Sequence, residues 1–513
     1  MKKQLHSTVE LNPQFSEALE FISKGKNVFI TGRAGTGKST LLKYYSEHSQ
    51  KKIVILAPTG VAAINVGGQT IHHFFGFGPD ITIRKIPKKL HGEREKFFQK
   101  LTTIVIDEIS MVRADLLDFI DTFLRAHGPR KNVPFGGVQM VFIGDLYQLP
   151  PVVTSQEKEV FRSRYESPYF FSAKSFPLLN MEFIELEKIY RQKDEKFIEL
   201  LNAIRNKTAT EREYRNINKR YDPDFMPPND IFYISLTSTN AGADIINEQE
   251  MEKLPGKNIH LQGIVYGDFP KEYYPTAISM NIKIGAQVMM LNNDASGRWV
   301  NGTIGKVLNI LFEGKEIEGI EIDLQNGKTH LVTPYTWDVY RFYVNENKEI
   351  DSEEIGSFTQ FPIRIAFAVT IHKAQGKTFE KVVIDIGRGT FAHGQMYVAL
   401  SRCTSLEGMV LKKEIRPQHV WLDYAIVRFL TKYQYKKSKD QISTEEKIKI
   451  ITDAIHRKKN LKITYLKAKD VKSRRIIRPE SVGEMKYNDI PFLGVSAYCL
   501  TRKDSRNFNV EKI

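Results

Sequence analysis

Gly32-Arg33-Ala34-Gly35-Thr36-Gly37-Lys38-Ser39 sets glycines, a lysine and a hydroxyl between an apolar run and a helical pattern. Glycines in such a turn let successive backbone N–H groups face an anion and approach it closely. Lys38 stands where it would neutralise β- and γ-phosphates, and Ser39 where its hydroxyl would reach Mg²⁺. The helix that follows points its positive N-terminus at the same anion. The chemistry implied is binding of a nucleoside triphosphate, ATP with Mg²⁺. Gly32, Gly35, Thr36, Gly37, Lys38, Ser39 and Thr40 are the expected contacts. A glycine-rich turn without a ligand is the bland alternative, but the flanking strand and helix stand where phosphate binding needs them. Asp107-Glu108 ends a second apolar run. There Asp107 would hold Mg²⁺, directly or through water, and Glu108 would orient or deprotonate the attacking water.

These residues need a scaffold. Short β-branched runs recur at Asn27–Ile30, Ile53–Leu56, Thr103–Ile106 and Gln139–Ile143, with helical patterns between them at Ser39–Ser46 and Asp115–Leu124. Continuous apolar strands alternating with helices predict a parallel sheet covered on both faces. In such sheets ligands sit at the carboxyl ends of the strands. Here those ends read Thr31-Gly32-Arg33, Ala57-Pro58-Thr59, Asp107-Glu108 and Gly144-Asp145. A second α/β set follows at Asp230–Leu236, Lys381–Ile386 and Gly408–Leu411. Gly-punctuated short strands predict a small β-barrel insertion at about 282–360. A basic insertion is expected at about 78–100, and a charged linker near Lys436–Asp440. The fold class is α/β, with units expected at 1–178, 179–435 and 442–513, the last small and β-rich.

Bulk properties narrow the partners. The chain has 513 residues, 41% hydrophobic and 26% charged, with a net charge of +15. That is enough material for a core without disulfides. No apolar run reaches the roughly 18 residues of a membrane span, and the start lacks a signal-peptide core. The two cysteines, Cys403 and Cys499, lie far apart without metal-ligand spacing. A reducing, cytoplasmic and nucleoid-associated setting in a bacterium is expected. The positive charge favours a polyanionic partner, because cationic surfaces release the counterions of a phosphate backbone.

Further segments carry a family resemblance. They are Ala57–Asn65 with Thr70–Gly76, Met111–Asp118, Pro134–Gln139 running into Gly144–Val152, Ile189-Tyr190-Arg191-Gln192, Thr370–Thr378 and Tyr397–Arg402. Together with the glycine-rich loop and Asp107-Glu108, they resemble, in type and order, the Pif-type branch of superfamily-one helicases, over about residues 10–425. The resemblance implies two tandem RecA-like motor domains and ATP-driven 5′→3′ movement on single-stranded DNA, with unwinding of forked or structured duplex in genome maintenance. It implies that Gln148 senses the γ-phosphate, that Arg191 and Arg402 of the second domain act as arginine fingers, and that Gly376 lines the nucleotide. A Gln ahead of the loop reads adenine in relatives. Here Phe15 stands at that place and Gln14 one position early, so the base contact assigned to Gln14 stays open.

The expected DNA contacts are Thr59, Gly60, His72, Phe75, His372, Lys373 and Thr378. Small polar groups and backbone amides grip phosphates, and Phe75 with Phe74 and Phe77 would stack on bases if it is not core. Arg84, Lys85, Lys88, Lys89 and Arg94 would form a strand-separating wedge, unless they are merely a solvated face. The tail resembles WYL domains through Leu461–Tyr465, Ile477–Glu480, Ala497–Cys499, Arg502 and Arg506–Phe508, although the name-giving triplet is absent. That resemblance implies nucleic-acid or effector binding through Tyr465, Arg478, Arg502 and Arg506. A monomer, able to oligomerise on DNA, is expected. Two alternatives remain: a DNA-stimulated translocase that unwinds poorly, and an effector-sensing nucleic-acid-binding protein without motor activity.

Overall fold

The computed structural model describes residues 11–49, 53–78, 85–153, 157–228, 230–345, 350–387, 389–390, 392–467, 471–487 and 489–513. Its first lobe is a parallel sheet of β1 (Val28–Gly32), β2 (Val54–Ala57), β3 (Gln69–Thr70), β4 (Thr103–Ile106), β5 (Gln139–Gly144) and β6 (Glu182–Leu186), in the order β3-β2-β4-β5-β1-β6. Strands β1, β2, β4 and β5 are buried along their whole length, as expected of strands covered on both faces. Helices α1 (Pro13–Ser23) and α2 (Lys38–His48) supply Phe15, Ala18, Ile22, Leu41 and Leu42 to the core under β1. Asn12 caps α1 by accepting from the Phe15 N–H at 2.9 Å.

Because β6 pairs with β1 through Val28↔Glu182 to Gly32↔Leu186, the first lobe runs past residue 178, where the sequence reading ended it. Glu182 and Glu185 interrupt β6, an edge strand buried over only part of its length, so it escapes a search for continuous apolar runs.

The second lobe carries a four-stranded parallel sheet. β7 (Ile234–Thr237) lies between strands Ala368–Thr370 and Val382–Asp385, and the latter pairs with Met409–Leu411. Its insertion is larger than the expected 282–360. A two-stranded piece begins at Ile259, and a five-stranded antiparallel sheet ends on Ile363–Ile365. A separate three-stranded sheet joins Ile264–Gly267 to the hairpin Tyr335–Val344 and Ile350–Gln360. Three sheets, of two, five and three strands, thus stand where a small barrel was expected. The five-stranded sheet packs around Val288, Val307, Ile320, Ile322 and Ile363.

The basic segment after residue 78 is partly described. Arg84 lies outside the described residues. Lys85, Lys88 and Lys89 are exposed, while Ile86 and Leu90 are buried. α5 (Gly92–Lys100) buries Phe97 and Phe98. The Arg94 guanidinium donates to the Phe75 carbonyl at 2.9 Å, so it braces the fold rather than extending a wedge.

Phe75 is not a stacking platform. It ends α4 (Ile71–Phe75) and is fully buried in a cluster with Phe74, Phe77, Phe97, Phe98 and Phe123 of α6 (Ala114–His127). Edge-to-face and offset rings in close contact satisfy one another better than a base could.

A second compact unit comprises Ala203–Ala209 and Leu422–Ile513. The expected linker at Lys436–Asp440 is instead the end of an 18-residue helix, Tyr424–Gln441, capped by Asp423. Lysines are good helix formers, so a charge run alone does not break a helix. A second helix, Thr444–His456, and a four-stranded antiparallel meander complete the unit. Its core is Ile451, Ile463, Ile477, Val495, Ala497, Cys499 and Phe508.

Phe75→Ala should lower stability by about 3–5 kcal/mol, the range for removing a buried aromatic ring. Phe75→Leu should cost less and leave single-stranded DNA affinity at the wild-type value. Urea unfolding and fluorescence anisotropy check the pair, and a DNA-affinity loss in Phe75→Leu at wild-type stability would restore the stacking role.

Candidate functional site

Four strand ends of the first sheet meet one cavity of about 540 Å³, lined by residues 34–40 with Phe15, Glu108, Gln148, Tyr190, Arg191, Gly376, Thr378 and Arg402. The glycine-rich loop leaves β1 and enters α2 at Gly37. Gly35 and Gly37 hold φ of +78° and +86°, a region that L side chains rarely adopt. Added methyl groups there would meet the Arg191 Cβ at 2.5 Å and the Phe15 ring at 2.9 Å. The loop therefore needs glycine twice over, for its turn and for the walls against it. The Lys38 ammonium donates to the carbonyls of Gly32 at 2.8 Å and Arg33 at 3.0 Å. Burial pulls its pKa down, while Asp145, Glu108 and Asp107 favour its charge.

In the strand order β4-β5-β1, the end of β5 lies between the loop and Asp107-Glu108. Asp145 follows β5 and is fully buried. It accepts from the Gln148 amide at 3.1 Å and from the Tyr147 N–H at 3.1 Å. Glu108 has the left-handed backbone of φ 50°, ψ 41°. Strained residues of this kind persist where the surroundings fix them, often at working sites. Its carboxylate accepts from the Gln375 amide of the second lobe at 3.0 Å. Burial raises the pKa of both Asp107 and Glu108, and the Asp107 charge pushes Glu108 up further. A carboxyl raised in this way is suited to proton handling.

Arg191 follows β6 and so belongs to the end of the first lobe, not to the second as expected. It bridges the lobes, donating to the carbonyls of Ser401 at 3.2 Å and Gly376 at 3.3 Å. Gln192 donates to the carbonyls of Ser401 and Cys403. Arg402 is 1% exposed, and its guanidinium donates to the carbonyls of Val398 and Lys377 and to the Ser401 hydroxyl. Burial and the neighbouring Arg191 bring its pKa down to about 9. Lys38, Arg191 and Arg402 thus face one cavity with hydrogen bonds to neutral oxygens. Cations held like this, half-buried at Lys38 and Arg191 and buried at Arg402, are stabilised by an anion between them.

Ser39, Thr36 and Thr40 line the cavity as expected, and so does Gly376. Gly32 closes β1 and offers its carbonyl to Lys38. Thr378, expected on DNA, lines this cavity instead. Gln14 is half-buried on α1 and is not among the lining residues, whereas Phe15 is. The Asn12 amide donates to the Tyr190 hydroxyl at 3.1 Å, so the base end presents two aromatic rings. Asp145, Tyr190, Gln375, Gly394 and Tyr397 were not singled out by sequence, although each lies in or beside a motif that was.

Of the remaining DNA candidates, Thr59 is exposed and caps α3 (Gly60–Asn65) by accepting from the Ala62 N–H. Gly60 is buried, and a methyl group on it would meet the Glu272 carbonyl at 2.2 Å, so this position needs glycine for its packing. His72 and His372 are half-buried, and burial lowers both pKa values. Lys373 is exposed at the start of the turn that carries Gln375 and Gly376. In the second unit, the Tyr465 ring packs edge-on against Phe508, and its hydroxyl accepts from the Asn509 N–H. Arg506 pairs with Asp504, while Arg502 and Arg478 are exposed. Tyr465 and Arg506 are therefore already engaged within their own sheet.

Residues 11–215 match the family of PIF1-like helicases. The chain is 32% identical to the ATP-dependent DNA helicase Pif1 of Campylobacter jejuni, over 76% of this chain and 89% of that protein. It is also 32% identical to the human ATP-dependent DNA helicase PIF1, over 81% of this chain but 63% of that protein's length. A crystal structure of a Bacteroides sp. Pif1 in complex with ADP-AlF4 superposes with a TM-score of 0.77 at 38% identity, covering 83% of this chain and 98% of that one. The Bacteroides Pif1 bound to single-stranded DNA superposes with a TM-score of 0.61.

Gly394 holds φ +72°, and a methyl group there would meet the carbonyls of Gln148 at 2.2 Å and Tyr147 at 2.3 Å. Gly394→Ala should therefore misplace the lobes and slow ATP hydrolysis by roughly 10²-fold, the cost of an ångström-scale displacement. Steady-state hydrolysis measured beside circular dichroism checks this. An unchanged rate in a folded variant would remove the seam from the mechanism.

Proposed function

Since the chain belongs to the PIF1-like helicase family, we propose that it is an ATP-dependent DNA helicase that moves 5′→3′ on single-stranded DNA and unwinds forked duplex. The observation that carries this reading is the convergence of Lys38, Arg191 and Arg402 on one cavity between two lobes. ATP bound to the glycine-rich loop gains its transition-state charge partners only when the second lobe is in place. Lys38 holds the β- and γ-phosphates, and Arg191 and Arg402 stabilise the charge that develops at the γ-phosphate. Glu108, with its raised pKa, accepts the proton of the attacking water, and Gln375 fixes its carboxylate. Gln148 reports the γ-phosphate to the β5 end through Asp145. Ser39 and Asp107 suit Mg²⁺, which supplies neutralisation of the phosphate charge when bound. Loss of the γ-phosphate weakens the attraction between lobes, and the cleft opens.

A cation cluster supports the DNA path. Lys373 and Lys377 are each lowered in pKa by burial and by the nearby Arg364, Lys377 to about 8. Lys377 donates to the Asn301 carbonyl oxygen, and the Asn301 amide donates to Asn65 at 2.9 Å. Mutually repelling cations of this kind suit a phosphate backbone. In the second unit, which we read as WYL-like, residues 422–513 hold 22 Lys and Arg against 11 Asp and Glu. Lys462, Arg474, Arg478 and Tyr498 are exposed on strands of its meander. They offer charge and one stacking ring to a single strand, the combination expected of a nucleic-acid platform.

Lys38→Ala should abolish ATP hydrolysis and unwinding, and retained unwinding on a forked substrate would refute the motor. Arg402→Ala should keep nucleotide affinity and lower kcat by roughly 10³–10⁵, as for an arginine finger.

Single-stranded DNA affinity should fall with salt, with a log–log slope of roughly −0.7 per phosphate contacted. It should also fall as pH rises from about 7 to about 9, because Lys377 loses its proton in that window and phosphate favours the charged form. Lys377→Gln should flatten that pH dependence in anisotropy titrations, and an equally steep curve would exclude Lys377 from the strand.

A further inference from the structure

Helix Gln395–Leu400 of the second lobe is buried from end to end and touches the first lobe at several points. It starts at Gly394, against the carbonyls of Tyr147 and Gln148. His393, just before it, lies 3.2 Å from the Leu146 carbonyl. The helix ends at Ser401, whose carbonyl accepts from both Arg191 and Gln192, and it passes directly into Arg402. Between these ends, the Tyr397 hydroxyl accepts from the backbone N–H of Ala34 at 2.9 Å. Ala34 is 5% exposed and Tyr397 4% exposed, so water does not compete for this bond.

We propose that Tyr397 is a positioning residue, which ties the phosphate-binding loop to the second lobe and so sets the distance between that loop and Arg402. The amide of Ala34 lies inside the loop that cradles phosphate. Held by a phenol of the other lobe, it fixes the loop relative to the helix that carries the finger. Tyr397 and Arg402 are five residues apart on a short, fully packed helix and its exit turn. A shift of one therefore moves the other. Parting of the lobes breaks the bond and leaves a buried amide without that acceptor, a state that buried N–H groups avoid. The phenol thus favours the arrangement in which Lys38, Arg191 and Arg402 surround one phosphate.

The inference rests on the helicase reading, and one experiment separates the two. Tyr397→Phe removes the hydroxyl and keeps the ring in its packed position. Binding of ADP and of ADP with aluminium fluoride, a mimic of the transferring phosphoryl group, is measured for both proteins, beside ATP hydrolysis with saturating single-stranded DNA. In Tyr397→Phe, ADP affinity should stay within about twofold, affinity for the aluminium fluoride complex should fall about tenfold, and kcat should fall by a similar factor with KM little changed. A melting curve like that of the wild type shows the variant folded. If the ratio of the two affinities stays at its wild-type value, the positioning role is overturned, whether both affinities are kept or both are lost. A wild-type protein that does not hydrolyse ATP overturns the helicase reading instead.

Discussion

The arrangement depends on three cations brought out of water toward one point with neutral oxygens as partners. Lys38, Arg191 and Arg402 donate to carbonyls and one hydroxyl. Burial in a poorly solvated cavity lowers the pKa of both Arg191 and Arg402, and the Arg191 charge lowers that of Arg402 further. A phosphate chain removes that penalty. The backbone is shaped to the same end. Gly35 and Gly37 take left-handed conformations, and Glu108, which has a side chain, accepts one too. The acidic residues that balance the site, Asp107, Glu108 and Asp145, stand at the ends of neighbouring strands, so none of them needs a long loop to arrive.

The link between nucleotide and DNA is short. Residues 372–378 form one turn with two sets of contacts. Gln375 reaches Glu108, and Gly376 and Thr378 line the nucleotide cavity. Lys377 reaches Asn301 by its side chain, while its own carbonyl accepts from Arg402. On the proposed DNA path, a strand phosphate that draws on the Lys377 ammonium acts on the residue whose backbone holds Arg402. No long chain of contacts is required, since two bonds on one residue suffice.

Much of this was legible in the sequence because phosphate chemistry constrains residue type and spacing together. The glycine-rich loop, Asp107-Glu108, Gln148 and Arg402 all line or adjoin the cavity, and the parallel sheet followed from uninterrupted apolar runs. What was misread depends on partners distant in the chain. Phe75 carries the same local signature as a stacking residue, and only Phe97, Phe98 and Phe123 make it core. β6 is an edge strand whose alternation is weak, so the lobe boundary was set too early and Arg191 was assigned to the wrong lobe. Tyr397 and Gln375 lie in motifs whose order was clear, but a single bond to Ala34 or Glu108 leaves no trace in local sequence.

Backbone carbonyls, amides and one phenol make many of the bonds across the seam, with Gly394 letting the chains approach, while Arg191 and Glu108 each meet a neutral partner in the second lobe. An ion-pair seam would be a poor choice here. Its charges would compete with the phosphates for Arg191 and Arg402, and its strength would change with salt as DNA binding does. Hydrogen bonds to neutral partners fix geometry while leaving Arg191 and Arg402 available to the nucleotide. The presence or loss of one phosphate then becomes the largest change in electrostatic energy that the closed lobes experience. That difference is what a two-lobed motor needs in order to turn chemistry into movement.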